Sequence, residues 1–160
     1  MTDLAIRVAR PEEFERVLQI LVDGFRGRTI HQKLEQRHGM IGGRPWEHWK
    51  RRELIGFYRH HPDRVLVAEW DGKLLGFVTY SLDRDREVGE IQNNAVDPAY
   101  QGQGIGTALY RVVLDIFRRE GMKYAWVVTG LDEDYAQARR VYEKVGFEPL
   151  HRSVSYVQKL

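Results

Sequence analysis

The chain has 160 residues and a formal net charge of +2; 42% of its residues are hydrophobic, 30% are charged and none is cysteine. This length and this proportion of hydrophobic to charged residues predict one globular domain with its own core. The small net charge gives no support for nucleic acid as a partner. The lack of cysteine excludes disulfides, thiolate metal sites and a cysteine nucleophile within this chain.

The first part of the chain predicts one strand and two long helices. Residues 4–9 alternate in polarity, which is typical of a strand. Pro11 and two acidic residues then mark a helix start, and apolar residues recur at helical spacing as far as Phe25. Residues 26–43 are polar and contain glycines, which predicts a loop with room for a short helical piece. Residues 45–61 predict a second helix.

The rest of the chain predicts a hairpin and then alternating strands and helices. Two apolar runs flank Asp71-Gly72, a dipeptide typical of a tight hairpin turn. The later segments predict, in order, a strand at 87–96, a helix at 104–120, a strand at 123–129, a helix at 134–146 and one or two strands in 147–160. No repeat or linker interrupts this order, so we expect a single α/β domain.

Three alternating glycines, Gly102, Gly104 and Gly106, stand where the helix that follows the 87–96 strand begins. A P-loop is excluded because no lysine stands beside Thr107, and a dinucleotide fingerprint would need its last glycine at Thr107 or Leu109. A tight structural turn is one remaining interpretation. The other is a clamp for a pyrophosphate, because bare backbone, free N–H groups and the helix dipole all favour an anion there.

The sequence around these glycines resembles the GNAT family of N-acetyltransferases. Residues 101–106 read QGQGIG and match the family's Gln/Arg-x-x-Gly-x-Gly/Ala signature, and VDP at 96–98 precedes it as in many members. Residues 142–147 read YEKVGF and resemble the ending of the family's late helix. The resemblance implies a mixed, mostly antiparallel sheet of six to seven strands with about four helices. It also implies that this sheet is splayed between the strands at 87–96 and 123–129.

The resemblance further implies an acetyl-CoA-dependent N-acetyltransferase that moves the acetyl group directly to an amine of a small molecule or a protein within a ternary complex. Backbone amides of the glycine loop would hold the pyrophosphate, and an amide of the 87–96 strand would polarise the thioester carbonyl. The implied cofactor-binding residues are Asn94, Ala95, Val96, Gln101, Gly102, Gln103, Gly104, Ile105, Gly106 and Thr107. The alternative function is an acyl-CoA-binding sensor or regulatory module that has lost turnover. No histidine pattern typical of a metal site occurs, so we expect no metal.

Two residues are candidates for proton transfer. Amines arrive protonated at pH 7, and Glu90 lies eleven residues before Gln101, where some family members keep a catalytic glutamate. The alternative for Glu90 is a solvated acid at a strand end. Tyr142 matches the tyrosine that protonates the leaving thiolate in much of the family, and its alternative role is core packing. Many members have an asparagine where this chain has Tyr135, whose ring would instead shape the slot for the cofactor.

The acceptor is less well defined by the sequence. Residues 24–64 contain ten basic and four acidic residues, a net charge of +6. A solvated basic face explains most of them, and the alternative is an anionic acceptor or attraction of the phosphates of CoA. Dimers are frequent in the family, so a homodimer is one candidate assembly. No apolar run could span a bilayer and no signal-peptide pattern is present, so we expect a cytoplasmic protein without a membrane partner.

Overall fold

A single mixed sheet forms the centre of the computed structural model, which describes residues 3–160. Its strands follow one another in chain order: β1 (Ala5–Val8), β2 (Val65–Trp70), β3 (Lys73–Asp83), β4 (Val88–Val96) and β5 (Tyr124–Val127). The neighbours from β1 to β4 pair antiparallel, and β4 and β5 pair parallel. The expected mixed and mostly antiparallel sheet is therefore confirmed.

Helices cover both faces of this sheet. They are α1 (Phe14–Phe25), α2 (Ile30–His38), α3 (Trp46–His60), α4 (Ile105–Arg119) and α5 (Ala136–Lys144). Buried residues of α1 and α3 pack on one face, called here the α1 face, and those of α4 and α5 pack on the other, the α4 face. None of the helices within residues 3–160 combines the length and the apolar character that crossing a membrane requires.

The β2–β3 hairpin turns where the sequence predicts it. Asp71 and Gly72 both have positive φ, at 49° and 70°, and the strands on either side pair from Trp70 and Lys73 onward. Two positive φ values in a two-residue loop match the natural twist of the strands that it joins. Side chains of β2 alternate between the two cores, so this strand is buried on both faces.

The C-terminal segment departs from the expectation of a six- to seven-stranded sheet. The sheet has five strands, and residues 147–160 lie outside regular secondary structure. Apolar side chains of this segment are exposed, among them Leu150 at 79%, Val154 at 74% and Tyr156 at 93%. The sequence predicted one or two strands here, but a strand also needs a partner whose backbone groups it can bond. In the described part of the chain, this segment does not join the sheet.

A nine-residue helix, α2, occupies much of the segment predicted as a loop. The Thr29 hydroxyl accepts a hydrogen bond from the Gln32 N–H at 3.0 Å and so caps its start, and Gly39 follows its end. None of the residues of α2 is buried, so the apolar periodicity that marks a packed helix is missing from its sequence. The fold therefore has five α-helices, where about four were expected.

An ion-pair cluster joins the N-terminal strand to the first helix. The Arg7 guanidinium bonds both carboxylate oxygens of Glu13, at 2.9 and 2.7 Å, and also bonds Glu69 of β2 at 2.8 Å. The hydrogen bonds from Arg7 are the main cause that lowers the pKa of Glu13 to about 2, from an ordinary value of 4.5. Because the folded pKa is the lower one, this interaction stabilises the fold above pH 4.5 and is lost as the pH falls toward 2.

We expect Glu13→Gln to lower the free energy of unfolding at pH 7 by about 1 kcal/mol at most, since solvent partly screens the pair. The difference from the wild type should shrink as the pH is lowered from 5 to 2, where the wild-type carboxylate also becomes protonated. Urea unfolding followed by circular dichroism at several pH values measures this. Glu12→Gln is the matched control, because the Glu12 side chain is 70% exposed and lies 3.5 Å from its ion-pair partner. A difference that does not vary with pH would contradict the assignment.

Candidate functional site

Strand β4 contains a bulge that determines which of its side chains face which core. Gln92 and Asn93 together lie opposite the single residue Thr79 of β3, whose hydroxyl donates to the Asn93 carbonyl at 3.1 Å. Side chains alternate along a strand, so one extra residue moves every later side chain to the other face. Asn94 therefore lies on the α4 face, as Ile91 does before the bulge.

The strands β4 and β5 part at the level of this bulge. Their parallel ladder has four pairs, from Val88 and Tyr124 to Ile91 and Val127. Beyond it β4 continues to Val96 with β3 as its partner on the other edge. Residues 92–96 of β4 thus have no strand partner on the β5 side, at the place where the sequence predicts a splayed sheet, and we call this stretch the β4–β5 opening.

The turn that follows β4 is held by three neighbouring elements. The Asp97 N–H donates to a carbonyl of β3 at 2.8 Å, and the Asp97 carboxylate accepts from the Ala99 N–H at 2.9 Å. The same carboxylate forms an ion pair with Arg16 of α1. The Gln101 amide donates to the Val96 carbonyl at 3.2 Å. The glycine loop thus starts from a fixed point beside the opening.

A glycine-rich loop leads from this turn into α4. Gly102 and Gly104 have φ values of 79° and 84°, in the left-handed region that favours glycine, and a Cβ at either would meet no atom within 4 Å. The first backbone hydrogen bond of the helix runs from the Ala108 N–H to the Gly104 carbonyl. The N–H groups of residues 105–107 therefore have no acceptor within the helix. An exposed loop with a glycine on each side of Gln103, in front of a helix N-terminus, suits a phosphate-type anion.

Not every residue predicted for this site offers its side chain. Ile105 and Thr107 are 1% and 9% exposed, with side chains turned into the core. Ala95 turns to the α1 face, where a Cβ added to Gly24 of α1 would lie 2.7 Å from the Cβ of Ala95. These three residues can contribute to a ligand only through their backbone, whereas Gln103 is exposed.

Two tyrosines converge on Asn94 from the α4 face. The Tyr110 hydroxyl donates to Asn94 Oδ1 at 2.5 Å, and Asn94 Nδ2 donates to the Tyr142 hydroxyl oxygen at 3.2 Å. The two rings stack with centroids 5.0 Å apart. Burial raises the pKa of both phenols, so both hold their protons at neutral pH. Sequence reasoning missed Tyr110, although a tyrosine on the buried stripe of a helix signals that its hydroxyl needs a partner.

Glu90 lies on the opposite face of the sheet from this tyrosine pair. It precedes Ile91, which faces α4, so alternation turns Glu90 to the α1 face. Its neighbours across the strands are Ser81 of β3 and Trp126 of β5, and Trp126 is 39% exposed. The pair of Glu90 with Trp126 is the last but one in the β4–β5 ladder. The structure brings Tyr142 together with Asn94, and it leaves Glu90 across the sheet from both.

Tyr135 connects two loops that lie far apart in sequence. Its hydroxyl donates to the Arg28 carbonyl at 2.7 Å, and its ring packs directly on the backbone of Gly130. Lys33 of α2 adds an ion pair to Asp132 in the loop after β5. These contacts tie the α1–α2 connection to the β5–α5 connection, so residues far apart in sequence are held together after the end of β5.

Several residues of the basic segment 24–64 are paired within the fold. Lys50 lies 2.6 Å from Glu53, and its ammonium group stands 4.4 Å from the centre of the Phe25 ring. Arg51 of the same helix bonds Glu15 at 2.8 Å. These pairs support a structural role for part of the positive charge. Among residues 3–160, no three His, Asp or Glu side chains are grouped so that they could hold a metal ion.

Comparison with known proteins gives a family match over most of the chain. A family model described as "Acetyltransferase (GNAT) family" matches residues 6–147. An uncharacterized N-acetyltransferase of Methanocaldococcus jannaschii is 26% identical over 148 residues, covering 89% of this chain and 60% of that protein. N-alpha-acetyltransferase RimI of Mycobacterium tuberculosis is 39% identical over 111 residues, covering 68% of this chain and 65% of that protein. The chain therefore spans less than two thirds of the length of these two relatives.

The fold is also found among solved structures. A GNAT family acetyltransferase from Brucella melitensis, solved in complex with acetyl-CoA, aligns with a TM-score of 0.64. The alignment covers 99% of this chain and 94% of that one at 23% sequence identity. At this level of identity the likeness establishes the shared architecture.

Proposed function

The chain belongs to the acetyltransferase (GNAT) family, and from that premise we propose that it transfers an acetyl group directly from acetyl-CoA to an amine of a small molecule or a protein. Family membership confirms the resemblance drawn from residues 101–106 and 142–147. We propose that residues 1–160 act as one acetyltransferase domain. The observation that carries the proposal is the opening between β4 and β5, which has the glycine loop at one end and a buried tyrosine hydroxyl beside it.

The glycine loop fits the pyrophosphate of acetyl-CoA. The N–H groups of residues 101–107 would donate to its oxygens, because the space beside Gly102 and Gly104 is open and the dipole of α4 favours negative charge. The backbone of residues 94–96 lies on the edge of β4 that faces the opening, and we assign to it the pantetheine arm and the thioester carbonyl. When bound, acetyl-CoA supplies an acetyl group already activated as a thioester.

Glu90 is proposed to accept the proton of the incoming amine. A lysine-like amine has a pKa near ~10 and must lose a proton before it can attack. Glu90 faces the α1 side of the sheet while Tyr142 faces the α4 side, so the amine would approach from the side of α1 and Trp126. Because this chain has no cysteine, it offers no thiol for an enzyme-bound thioester, which favours direct transfer.

Tyr142 is proposed to protonate the departing thiolate of CoA. Burial raises the pKa of its hydroxyl, which therefore keeps its proton at neutral pH. Asn94 donates a hydrogen bond to the hydroxyl oxygen, so the hydroxyl proton is free to be given elsewhere. The homodimer and the cytoplasmic location stay predictions from the sequence.

We expect the purified protein to release free CoA from acetyl-CoA when a suitable amine is added, as measured with a thiol reagent. RimI is named as an N-alpha-acetyltransferase, so peptides with a free N-terminus are the first amines to be tested. Free lysine, a polyamine and an aminoglycoside test the other amine classes, and omission of the amine measures background hydrolysis. Calorimetric binding of acetyl-CoA without CoA release for any amine would contradict an enzyme and would support the sensor alternative.

We expect Gly104→Val to abolish acetyl-CoA binding while the protein stays folded. Valine disfavours a φ of 84°, so the loop would have to reshape and would place a side chain where the pyrophosphate is proposed to lie. Isothermal titration calorimetry measures affinity, and circular dichroism measures folding. Gly121→Val is the matched control: its φ is 76°, its Cβ would also meet nothing within 4 Å, and it lies beyond the other end of α4. Unchanged affinity in Gly104→Val would contradict the pyrophosphate assignment.

We expect Glu90→Gln to lower kcat at pH 7, because glutamine has nearly the shape of glutamate but lacks the carboxylate that accepts the proton. A positioned general base typically contributes ~10²–10⁴-fold. The loss should shrink as the pH rises toward the amine pKa of ~10, where the nucleophile is already neutral. Rates over a pH series under single-turnover conditions measure both effects. Glu87→Gln serves as control, since Glu87 pairs with Lys123 at the surface. A pH–rate profile identical to the wild type would assign the proton to water or to another residue.

A further inference from the structure

We propose that Asn94 and Tyr110 are positioning residues for Tyr142. Together they direct its hydroxyl proton into the β4–β5 opening and stabilise the phenolate that remains when this proton has left. The proposal rests on the proposed function, in which Tyr142 is the general acid. Its basis is the arrangement of donors and acceptors around one buried amide.

The orientation of the Asn94 amide follows from a backbone carbonyl that can only accept. Asn94 Nδ2 lies 3.0 Å from the carbonyl oxygen of Gln92. A flipped amide would place Oδ1 against that oxygen, and two acceptors would then face each other. Oδ1 therefore faces the Tyr110 hydroxyl at 2.5 Å, and Tyr110 has to be the donor in that bond.

The same orientation determines where the Tyr142 proton can point. The second hydrogen of Asn94 Nδ2 is directed at the Tyr142 oxygen, 3.2 Å away, so this oxygen accepts and its own hydrogen rotates away from Asn94. The Tyr142 ring is fixed between Tyr110 and Phe147, with centroids 5.0 and 5.9 Å away. Only the hydroxyl hydrogen is free to turn. Asn94 belongs to residues 92–96 of β4, which border the opening, and the proposal places the departing thiolate beside its partner Tyr142.

Proton donation leaves a charge that these neighbours can stabilise. The O–H bond of Tyr142 breaks, an S–H bond forms on CoA, and the negative charge moves from the sulfur to the phenol oxygen. The Asn94 N–H already points at that oxygen, and a hydrogen bond to a charged acceptor is stronger than one to a neutral acceptor. Burial raises the pKa of Tyr142, whereas the hydrogen bond from Asn94 lowers it. Asn94, held in place by Tyr110, thus reduces the penalty that burial places on the phenolate.

Packing alone does not account for this polar cluster. Tyr110 and Tyr142 are 5% and 6% exposed within a core of aliphatic and aromatic side chains. Phenylalanine and leucine would fill the same space without polar atoms that need partners. The hydroxyl of Tyr110 therefore has a role that its ring alone could not fill, which is to hold Asn94 in one orientation.

A double-mutant cycle on kcat tests the proposal. Tyr110→Phe and Asn94→Leu are each made alone and together with Tyr142→Phe, and KM for acetyl-CoA is measured alongside. Each single change should lower kcat roughly ten- to a hundredfold, because Asn94→Leu removes and Tyr110→Phe misplaces the hydrogen bond to the charged phenolate, with KM nearly unchanged for Tyr110→Phe. In the Tyr142→Phe background neither should lower kcat by more than about twofold, since the group through which they act is gone.

Tyr80→Phe is the matched control, because Tyr80 is buried in the same core and stands outside the cluster. It should keep the wild-type kcat. Circular dichroism and acetyl-CoA calorimetry establish that each variant is folded. Tyr110→Phe and Asn94→Leu test the positioning role independently, so if one variant misfolds, the other still tests the proposal.

The outcomes separate this proposal from the function on which it rests. A Tyr110→Phe loss of equal size in the wild-type and Tyr142→Phe backgrounds would overturn the positioning role and leave Tyr142 as the acid. A Tyr142→Phe variant with the wild-type kcat would overturn the acid role and the positioning role together. A wild-type protein that turns over no amine would overturn acetyl transfer itself.

Discussion

The extra residue in β4 is the constraint on which the geometry of the candidate site depends. A regular strand would turn Asn94 toward α1 and Ala95 toward the tyrosines, because side chains alternate with a period of two. With Gln92 and Asn93 sharing one partner on β3, the asparagine instead reaches the α4 face and meets Tyr110 and Tyr142. The polar cluster and the proposed direction of the hydroxyl proton both follow from this local irregularity.

Chain topology explains why the parts of the site lie together. Parallel neighbours such as β4 and β5 need a crossover, and α4 is that crossover. It has to leave from the C-terminal end of β4, so the glycine loop and the N-terminus of α4 lie at the end where the two strands part. The α5 helix then returns over the same face and delivers Tyr142 beside Asn94. The ligand loop, the opening and the acid candidate are therefore neighbours because of connectivity.

Sequence reasoning succeeded where a local pattern has a single physical meaning. Asp71-Gly72 requires a primed turn, and the run from Gln101 to Gly106 marks a helix start with bare backbone, so the hairpin and the loop were predictable. The C-terminal strands were predicted wrongly, because the residues of 147–160 do not show whether a sheet edge is available to pair with them. Helix α2 buries no residue and so left no periodicity to find. The bulge has no sequence signal, which is why Asn94 was expected to act only through its backbone. Tyr110 was overlooked although a hydroxyl on the buried stripe of a helix is itself a signal.

The close approach of α1 to β4 has a consequence for how mutations act on this protein. At Gly24 the helix backbone rests almost directly on Ala95, and even one methyl group would come within 2.7 Å of it. Larger residues at position 24 would push the helix off the sheet or shift the strand between Asn94 and Val96. Which residues position 24 tolerates is therefore set by how far the backbone of residues 94–96 can shift. Through that backbone, a glycine with no side chain of its own would limit the geometry of the proposed cofactor edge.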